Sequence, residues 1–386
     1  MVNLSPKNLR TAQTNWRHKI KTLYQKKINP HERKDYITFL REKFFPNHNL
    51  AENKPIIANL PTTSILQLIK ASKHLKDWPL IIYCCEEYQK RLDKAVSGYK
   101  LPPHAIDNLR LLSRAYQQLG IFEFAEKTLQ RVIQSSDKPS ACASRSQQLL
   151  DEYQELQLLT KSLPKGVETL RSDTLILTPL QTYHEEDFFW QYADPNIAEL
   201  CKLPDFDEED WQEWLKTNQT KSTKYQFAVN HKYWGFIGSV GLEISQRIGF
   251  FYFWLGTDFQ GNGYGSQAVR IMLDWASRYL GLRCCYAKAY KHNIPSKKAM
   301  EKIGFRPLPC KVVIPEREDY EEELFYWGEH QTDRLSLSEI NRFFMDQGFK
   351  ERVVPSQESS NGYRRNHRPD FSTNLKKLTP NLTSQG

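Results

Sequence analysis

Three glycines stand close together in the run Gln260-Gly261-Asn262-Gly263-Tyr264-Gly265-Ser266. An apolar run, residues 248–255, precedes them, and an amphipathic run, residues 268–276, follows. This order predicts a turn between a strand and a helix. At such a turn, backbone N–H groups converge at the helix start, where the helix dipole favours negative charge. Glycines also let a pyrophosphate approach the main chain, so the run predicts a phosphate-binding loop.

The spacing of the glycines excludes two common nucleotide loops. The Rossmann pattern G-x-G-x-x-G fails because the third glycine comes one residue too early, and the Walker A pattern fails because it requires a lysine. The pattern that remains is Gln260-x-x-Gly263-x-Gly265.

A second motif follows about thirty residues later. Asn293 and Ser296 precede Glu301-Lys302-x-Gly304-Phe305, which ends a predicted helix, and the predicted strand 284–289 comes before them. In this order and separation, the two motifs resemble the coenzyme A elements of the Gcn5-related N-acetyltransferase (GNAT) family. The resemblance covers residues 168–330 and is closest to the branch that acetylates the N-termini of ribosomal proteins.

The resemblance implies a mixed, splayed β-sheet flanked by helices, and acetyl-CoA as the acetyl donor without a metal. It implies direct transfer to a primary amine, a protein N-terminus or lysine in the first place and a small amine as a further possibility. Residues 260–266 would hold the pyrophosphate, Trp254 and Leu255 would bind the pantetheine amides, and Asn293 would bind the pantetheine arm. Ser296 would protonate the departing thiolate, with an ordinary helix N-cap as the alternative role.

The general base is harder to assign from the sequence. Many members of the family carry a glutamate on the splayed strand, but residues 250–253 of this chain are aromatic. Glu243 and Glu316 are the candidate substitutes, although Glu243 could be an exposed strand end and Glu316 part of a charged turn. Tyr252 is a candidate acid. A non-catalytic coenzyme A-binding scaffold is therefore the alternative function.

Residues 60–165 are predicted to form a separate helical domain. The unit 105–134 resembles a tetratricopeptide repeat, with apolar and small residues at fixed offsets, among them Tyr116, Gly120 and Ala125. One repeat cannot bury its own faces, so the whole stretch is predicted to be a short helical array. Arrays of this kind offer concave surfaces to peptides, which favours a protein or peptide acceptor.

The chain ends are distinct in composition. Residues 1–60 contain twelve lysines and arginines against four acidic residues, nearly the whole net charge of +9. A basic helical region at 1–59 could bind nucleic acid, but a solvated helix pair is favoured because no stacking pattern accompanies the charge. Residues 331–386 are predicted to hold a short helix, with Ser336 and Glu339 as a capping box and Gly348 at its end, and then a disordered tail from Pro355.

The remaining features indicate a cytoplasmic protein. The longest apolar stretch is too short to span a membrane, and the N-terminus lacks the apolar core of a secretory signal. Seven cysteines show no C-x-x-C spacing, and the adjacent pairs Cys84–Cys85 and Cys284–Cys285 lie in apolar runs. We therefore expect reduced core cysteines, no metal site and no membrane partner.

Overall fold

The computed structural model of the chain describes residues 57–95, 101–135, 143–192, 194–197, 208–232, 234–328 and 334–356. The predicted basic region before residue 57 and the predicted tail after residue 356 lie outside the described residues.

The helical region contains the helices that the apolar spacing predicts. They are α1 (Thr62–His74), α2 (Trp78–Ala95), α3 (Pro103–Gln118), α4 (Phe122–Ser135) and α5 (Ala143–Ser162). Ala125 on α4 is completely buried, and its carbonyl accepts a hydrogen bond from Ser113 Oγ of α3 at 2.9 Å. A small residue is needed here because the two helices approach closely. The helical array is confirmed, and its tetratricopeptide character stays a prediction.

The second region is built on one mixed sheet, as predicted. Its strands are β1 (Leu175–Pro179), β2 (Lys224–His231), β3 (Gly235–Ser245), β4 (Ile248–Leu255), β5 (Cys284–Tyr290), β6 (Arg306–Ile314), β7 (Arg317–Gly328) and β8 (Arg352–Pro355), in the spatial order β1-β2-β3-β4-β5-β7-β6-β8. Neighbouring strands are antiparallel except β4 and β5, which are parallel.

Helices cover both faces of this sheet. They are α6 (Glu185–Tyr192), α7 (Glu208–Thr220), α8 (Tyr264–Leu280), α9 (Ile294–Ile303) and α10 (Leu337–Asp346). One face packs against α8 and α9, with Phe251 among its buried side chains. The other packs against α6 and α7 around Trp254, and against α10 around Phe250. The aromatic run on β4 is therefore buried from both sides, which explains why it is continuously apolar.

The chain after residue 330 adds to the sheet. The capping box predicted for α10 is present: Glu339 N–H donates to Ser336 Oγ, and Ser336 N–H donates to Glu339 Oε2 at 2.7 Å. Strand β8 then pairs antiparallel with β6 and extends the sheet beyond the expected boundary. The sequence did not predict β8, because four residues at a sheet edge give too little alternation to recognise.

The helical region packs directly on the sheet. Ile176 of β1 is 8 % exposed and belongs to the apolar core of the helical region. Gly120, in the left-handed region at φ +66°, closes the turn between α3 and α4, where an added Cβ would lie 2.8 Å from Thr178. Lys76 pairs with Glu186 at 2.7 Å and with the buried Asp187 at 3.4 Å, so the α1–α2 turn is fixed to α6.

Both predicted cysteine pairs are buried, in agreement with the expectation of core thiols. Burial raises the pKa of Cys84, Cys85 and Cys285, which keeps these thiols protonated and unreactive. Within the described ranges, no helix is long and apolar enough to cross a membrane. The same residues contain no cluster of three potential metal ligands.

Candidate active site

The sheet opens between β4 and β5. The two strands pair only at Ile248 with Cys284, Gly249 with Cys285 and Phe250 with Tyr286. On its other edge, β4 stays paired with β3 as far as Leu255. The backbone of β4 beyond Phe250 therefore has no strand partner on the β5 side and can bind a molecule placed in the opening. This is the splay that the family resemblance implied.

The glycine loop lies at the end of β4 and leads into α8. Gly261 and Gly263 both adopt φ of +78°, a left-handed conformation that favours glycine. Gly263 is the N-cap of α8, and no side chain among the described residues caps that helix start. An added Cβ at Gly265 would lie 2.7 Å from Phe253 Cε2. The loop therefore presents uncapped N–H groups to an anion.

A cavity of about 320 Å³ extends from this loop into the opening. It brings together most of the predicted coenzyme A residues, namely Trp254, Leu255, Gln260, Gly261, Gly263, Tyr264, Gly265, Ser266, Asn293 and Ser296. Asn262 does not line it: this side chain is exposed, and its Nδ2 donates to the carbonyl oxygen of Gln260 at 3.1 Å. Gln260 Nε2 donates to the carbonyl oxygen of Leu255 at 2.9 Å, which ties the loop to the strand end.

Two lysines in the cavity wall were missed by the sequence reasoning. Lys298 and Lys302 are four residues apart on α9, so their side chains lie on one side of the helix. Lys302 Nζ would be 3.5 Å from a Cβ placed on Gly263. Uncapped N–H groups, glycines that leave room and two ammonium groups together fit the phosphates of coenzyme A. The helical spacing of the lysines after Asn293 was the available signal.

The start of α9 separates the roles of Asn293 and Ser296. Asn293 is 7 % exposed, and its Oδ1 accepts the N–H of Ser296 at 3.1 Å. Asn293 is thus the N-cap of the helix, and the alternative assignment of this role to Ser296 is wrong. Ser296 lines the cavity, where its hydroxyl can serve a ligand.

Glu243 lies on β3, on the face opposite α8 and α9. The side chain is only 3 % exposed, so the alternative of an exposed strand end is wrong. Its Oε1 accepts a hydrogen bond from Lys224 Nζ at 2.7 Å, while its buried Oε2 has no hydrogen-bond partner among the described residues. Burial raises the pKa of Glu243, and Lys224 only partly offsets the rise. A carboxylate with a raised pKa is suited to accept a proton near neutral pH.

Tyr252 lies on the same face as Glu243 and does not line the cavity beside the glycine loop. Its ring lies over Gly241, where an added Cβ would be 2.4 Å from Tyr252 Cζ. This allows its hydroxyl to donate to Gln226 Oε1 at 2.8 Å. Burial, followed by the charge of Glu243, raises the pKa of Tyr252, so the phenol stays protonated.

Glu316 is placed differently from the prediction. It is exposed in the turn between β6 and β7, outside the lining of the cavity. Its position in a charged turn agrees with the structural alternative. The sequence could not show this, because the position of Glu316 along the chain does not fix the length of the β6–β7 hairpin.

A further group of charged residues, missed from the sequence, lies on the face that carries Glu243. Lys288 Nζ contacts Glu322 Oε2 at 2.8 Å, Glu351 Oε1 at 2.6 Å and the hydroxyl of Tyr320. We call these four residues the Lys288 cluster. They come from β5, β7 and the residue before β8, so no local pattern joins them.

Comparison with known proteins identifies the fold around this site. The family described as Acetyltransferase (GNAT) domain matches residues 174–306. The chain contains a GNAT acetyltransferase domain. The GNAT domain makes this chain an acyltransferase of the N-acetyltransferase type.

Several proteins are similar to the GNAT domain. The Uncharacterized N-acetyltransferase YnaD of Bacillus subtilis is 24 % identical over 147 residues, which cover 35 % of this chain and 81 % of that protein. A spermidine N-acetyltransferase from Vibrio cholerae, solved with CoA and spermine, is 18 % identical, with a TM-score of 0.37 over 41 % of this chain and 97 % of its own. Ribosomal-protein-S5-alanine acetyltransferase from Vibrio fischeri is 16 % identical, with a TM-score of 0.37 over 42 % of this chain and 98 % of its own.

Proposed function

We propose that this chain transfers the acetyl group of acetyl-CoA to a primary amine, by direct attack while both substrates are bound. The observation that carries the proposal is the opening between β4 and β5. It has the phosphate-binding cavity on one face of the sheet, and a buried carboxylate with an unpartnered oxygen, that of Glu243, on the other. Donor and acceptor can therefore meet across the opening from opposite faces.

The chemistry requires the amine nitrogen to bond to the acetyl carbonyl carbon while the bond from that carbon to sulfur breaks. The β4 N–H groups beyond Phe250 are available to donate to the carbonyl oxygen and stabilise the charge that develops there. Ser296 lines the cavity and can donate its hydroxyl proton towards the leaving sulfur. The ammonium form of the amine loses two protons: one goes to a base on the opposite face, and the other replaces the proton that Ser296 gives to the sulfur.

Glu243 is the base that we favour. It sits in the row of the sheet formed with Phe250 and Tyr286, where the strand pairing ends. The opening begins one row beyond Glu243, next to Tyr252. We therefore expect the proton to reach Glu243 through a bound water molecule near Tyr252. The lack of a carboxylate on β4 was the ground for the non-catalytic alternative. The buried glutamate on the neighbouring strand supports the catalytic function instead.

A protein or peptide is the acceptor that we favour, with a lysine or N-terminal amine as the reacting group. The support is a groove of about 510 Å³ between the helical region and the GNAT domain. Its lining contains both signs of charge, including Arg110, Arg114 and Glu155, and reaches residues 181–183 of the GNAT domain. A polar groove beside the catalytic domain suits an extended peptide better than a small amine.

The test is release of free thiol from acetyl-CoA by the purified chain, with N-terminal peptides, lysine peptides and polyamines as acceptors. Glu243→Gln is expected to lower kcat at least a hundredfold, in line with loss of a general base, while the Kd for coenzyme A stays the same. Glu316→Gln discriminates the two candidate bases, and the exposed Glu321→Gln is the matched control for loss of one charge.

An unchanged kcat in Glu243→Gln would show that Glu243 is not the general base. Turnover lost in Glu316→Gln alone would assign the base to the hairpin turn instead. Coenzyme A binding without thiol release for every amine would refute the proposed activity.

A further inference from the structure

The face of the sheet opposite the glycine loop has its own approach to the opening. Phe250 and Tyr286 form the last pair between β4 and β5. Because side chains alternate between faces, the next residues on this face are Tyr252 on β4 and Lys288 on β5. A molecule that reaches the opening from this face therefore passes between Tyr252 and Lys288.

The Lys288 cluster forms the β5 side of this approach. Lys288 is 20 % exposed, Glu351 17 % and Glu322 7 %, so these charges lie at the edge of the interior and not on the open surface. Tyr320 donates its hydroxyl proton to Glu322 and packs edge-on against Tyr290 at 5.6 Å between ring centroids. Hydrogen bonds and ring packing therefore hold the cluster together, and the Glu351 side chain keeps 17 % of its surface exposed.

Glu351 reaches the cluster from outside the strands that surround the opening. The chain between α10 and β8 crosses this face, because the Phe349 ring packs against Phe250 at 5.2 Å and against Phe344 at 5.2 Å between centroids. Phe250 belongs to the last pair before the opening, so Glu351 is brought to the base of the opening. It lies near enough to Glu243 for its charge to raise the pKa of that residue.

The pKa values of Glu351 and Glu243 are shifted in opposite directions. Burial raises the pKa of Glu351, but the charge of Lys288 and the hydrogen bond that Lys288 donates more than offset it, and the net shift is downward. Glu351 therefore stays charged. Burial dominates at Glu243, and the pKa there is raised. A pair of carboxyl groups whose environments shift their pKa values apart divides into a charged partner and a proton acceptor.

We propose that Glu351 binds the acceptor as a primary ammonium ion beside the β4–β5 opening, on the face opposite the coenzyme A loop. The ammonium then gives one proton, through a bound water molecule, to the unpartnered Oε2 of Glu243. The neutral amine attacks through the opening, and the second proton that its nitrogen loses passes to the leaving sulfur by way of Ser296. The acceptor site thereby includes a residue from the segment after α10. This inference rests on the proposed acetyltransferase function and assigns the residue that recognises its second substrate.

The competing explanation is structural: the Lys288–Glu351 ion pair could only fasten the segment before β8 to the sheet. The two explanations differ in what the removal of the Glu351 charge changes. A structural role predicts a lower melting temperature and equal weakening of every ligand. The proposed role predicts loss of amine binding, with coenzyme A binding unchanged.

The experiment measures binding of a free-amine probe to the complex of the full chain with coenzyme A, by calorimetry. The probes are n-butylamine and a tetrapeptide amide with a free N-terminus. Because coenzyme A carries no acetyl group, the amine cannot react, and the titration measures binding alone. Glu351→Gln is expected to weaken amine binding about ten- to a hundredfold, as for loss of a hydrogen bond to a charged group. Glu351→Asp should recover part of the loss.

Glu321→Gln is the matched control. Glu321 lies on β7 next to Glu322 and is exposed, and it pairs with Lys311 at 2.5 Å. Its variant is expected to bind amine and coenzyme A as the original chain does. In turnover, Glu351→Gln should raise the KM for the amine and leave the KM for acetyl-CoA unchanged.

Three results would overturn the inference: equal amine affinity in Glu351→Gln and the original chain, equal weakening of amine and coenzyme A, or no amine binding to the coenzyme A complex. Amine binding that depends on Glu351 without any thiol release would support the inference and count against the proposed function. The experiment can therefore contradict the role of Glu351 and the proposed acetyltransferase function independently of each other.

Discussion

Gly263 offers the sharpest test of the phosphate-binding loop, through the substitutions Gly263→Gln and Gly263→Glu. Both replacements add a side chain of nearly the same size at φ +78°. Both therefore carry the same backbone cost, about 1–2 kcal/mol for an L-residue in the left-handed region. They differ by one negative charge, placed where Lys302 Nζ is 3.5 Å from the added Cβ.

The size of the charge effect follows from Coulomb's law. A carboxylate about 5 Å from one phosphate charge is repelled by about 0.8 kcal/mol at the dielectric constant of water and about 3 kcal/mol at an effective value near 20. The Kd for coenzyme A should thus be roughly 4- to 200-fold higher for Gly263→Glu than for Gly263→Gln. Pairing of the new carboxylate with Lys302 acts in the same direction, because it removes a cation from the phosphates.

The assay is calorimetric titration with coenzyme A at low and high salt, and the ratio of the two Kd values should shrink as salt rises. Gly348 provides the control pair, Gly348→Gln and Gly348→Glu. It has φ +81° and open space at the Cβ position, and it follows α10 at a distance from the glycine loop. Equal Kd values for the two Gly263 variants would refute the placement of the phosphates at this loop.

Three further predictions concern stability. Ser336→Ala removes the capping box of α10 and should lower the free energy of unfolding by about 1 kcal/mol in urea titrations, whereas Ser338→Ala, two residues on, should have little effect. Gly166→Ala should cost more, because Gly166 has φ +77° and an added Cβ would lie 2.3 Å from the Tyr279 ring; an unchanged melting temperature would contradict this packing. Burial lowers the pKa of His184 from 6.5 to about 3, so the unfolded chain binds a proton below pH 6.5 that the folded chain rejects. The contribution of the buried, neutral His184 to the free energy of unfolding is complete above pH 6.5 and falls by up to about 1.4 kcal/mol per pH unit below pH 6.5. When the pH is lowered from 7 to 5, the free energy of unfolding should therefore fall less in His184→Gln than in the original chain.

The elements with strong local signals could be predicted from the sequence. The helices of the array, strand β4 and the turn at Gly263 each have a periodic pattern or a glycine requirement that is satisfied within a few residues. The opening of the sheet was predicted only from the family resemblance, because no local sequence pattern indicates where β4 and β5 separate. The predicted coenzyme A residues lie together around one cavity because they belong to two short motifs, and their role stays a prediction.

The acceptor side could not be predicted in the same way. Lys288 and Glu351 are 63 positions apart along the chain and meet only after α10 has packed on the sheet. Strand β8 is too short to show alternation, so residue 351 had no structural context in the sequence. Glu243 was recognised as a candidate, but its raised pKa depends on burial and on the charges of Lys224 and Glu351, which come from other parts of the chain. Long-range packing decides these positions, and sequence periodicity carries no information about it.

The placement of Ile176 in the core of the helical region has a consequence for how the molecule can be divided. Trp234 packs against that core and against the core of the GNAT domain as well. A fragment that begins at residue 168 would expose apolar surface that the helices cover in the whole chain. Such surface promotes self-association. We therefore expect the two regions to melt in a single calorimetric transition, and a useful expression fragment to begin before α1.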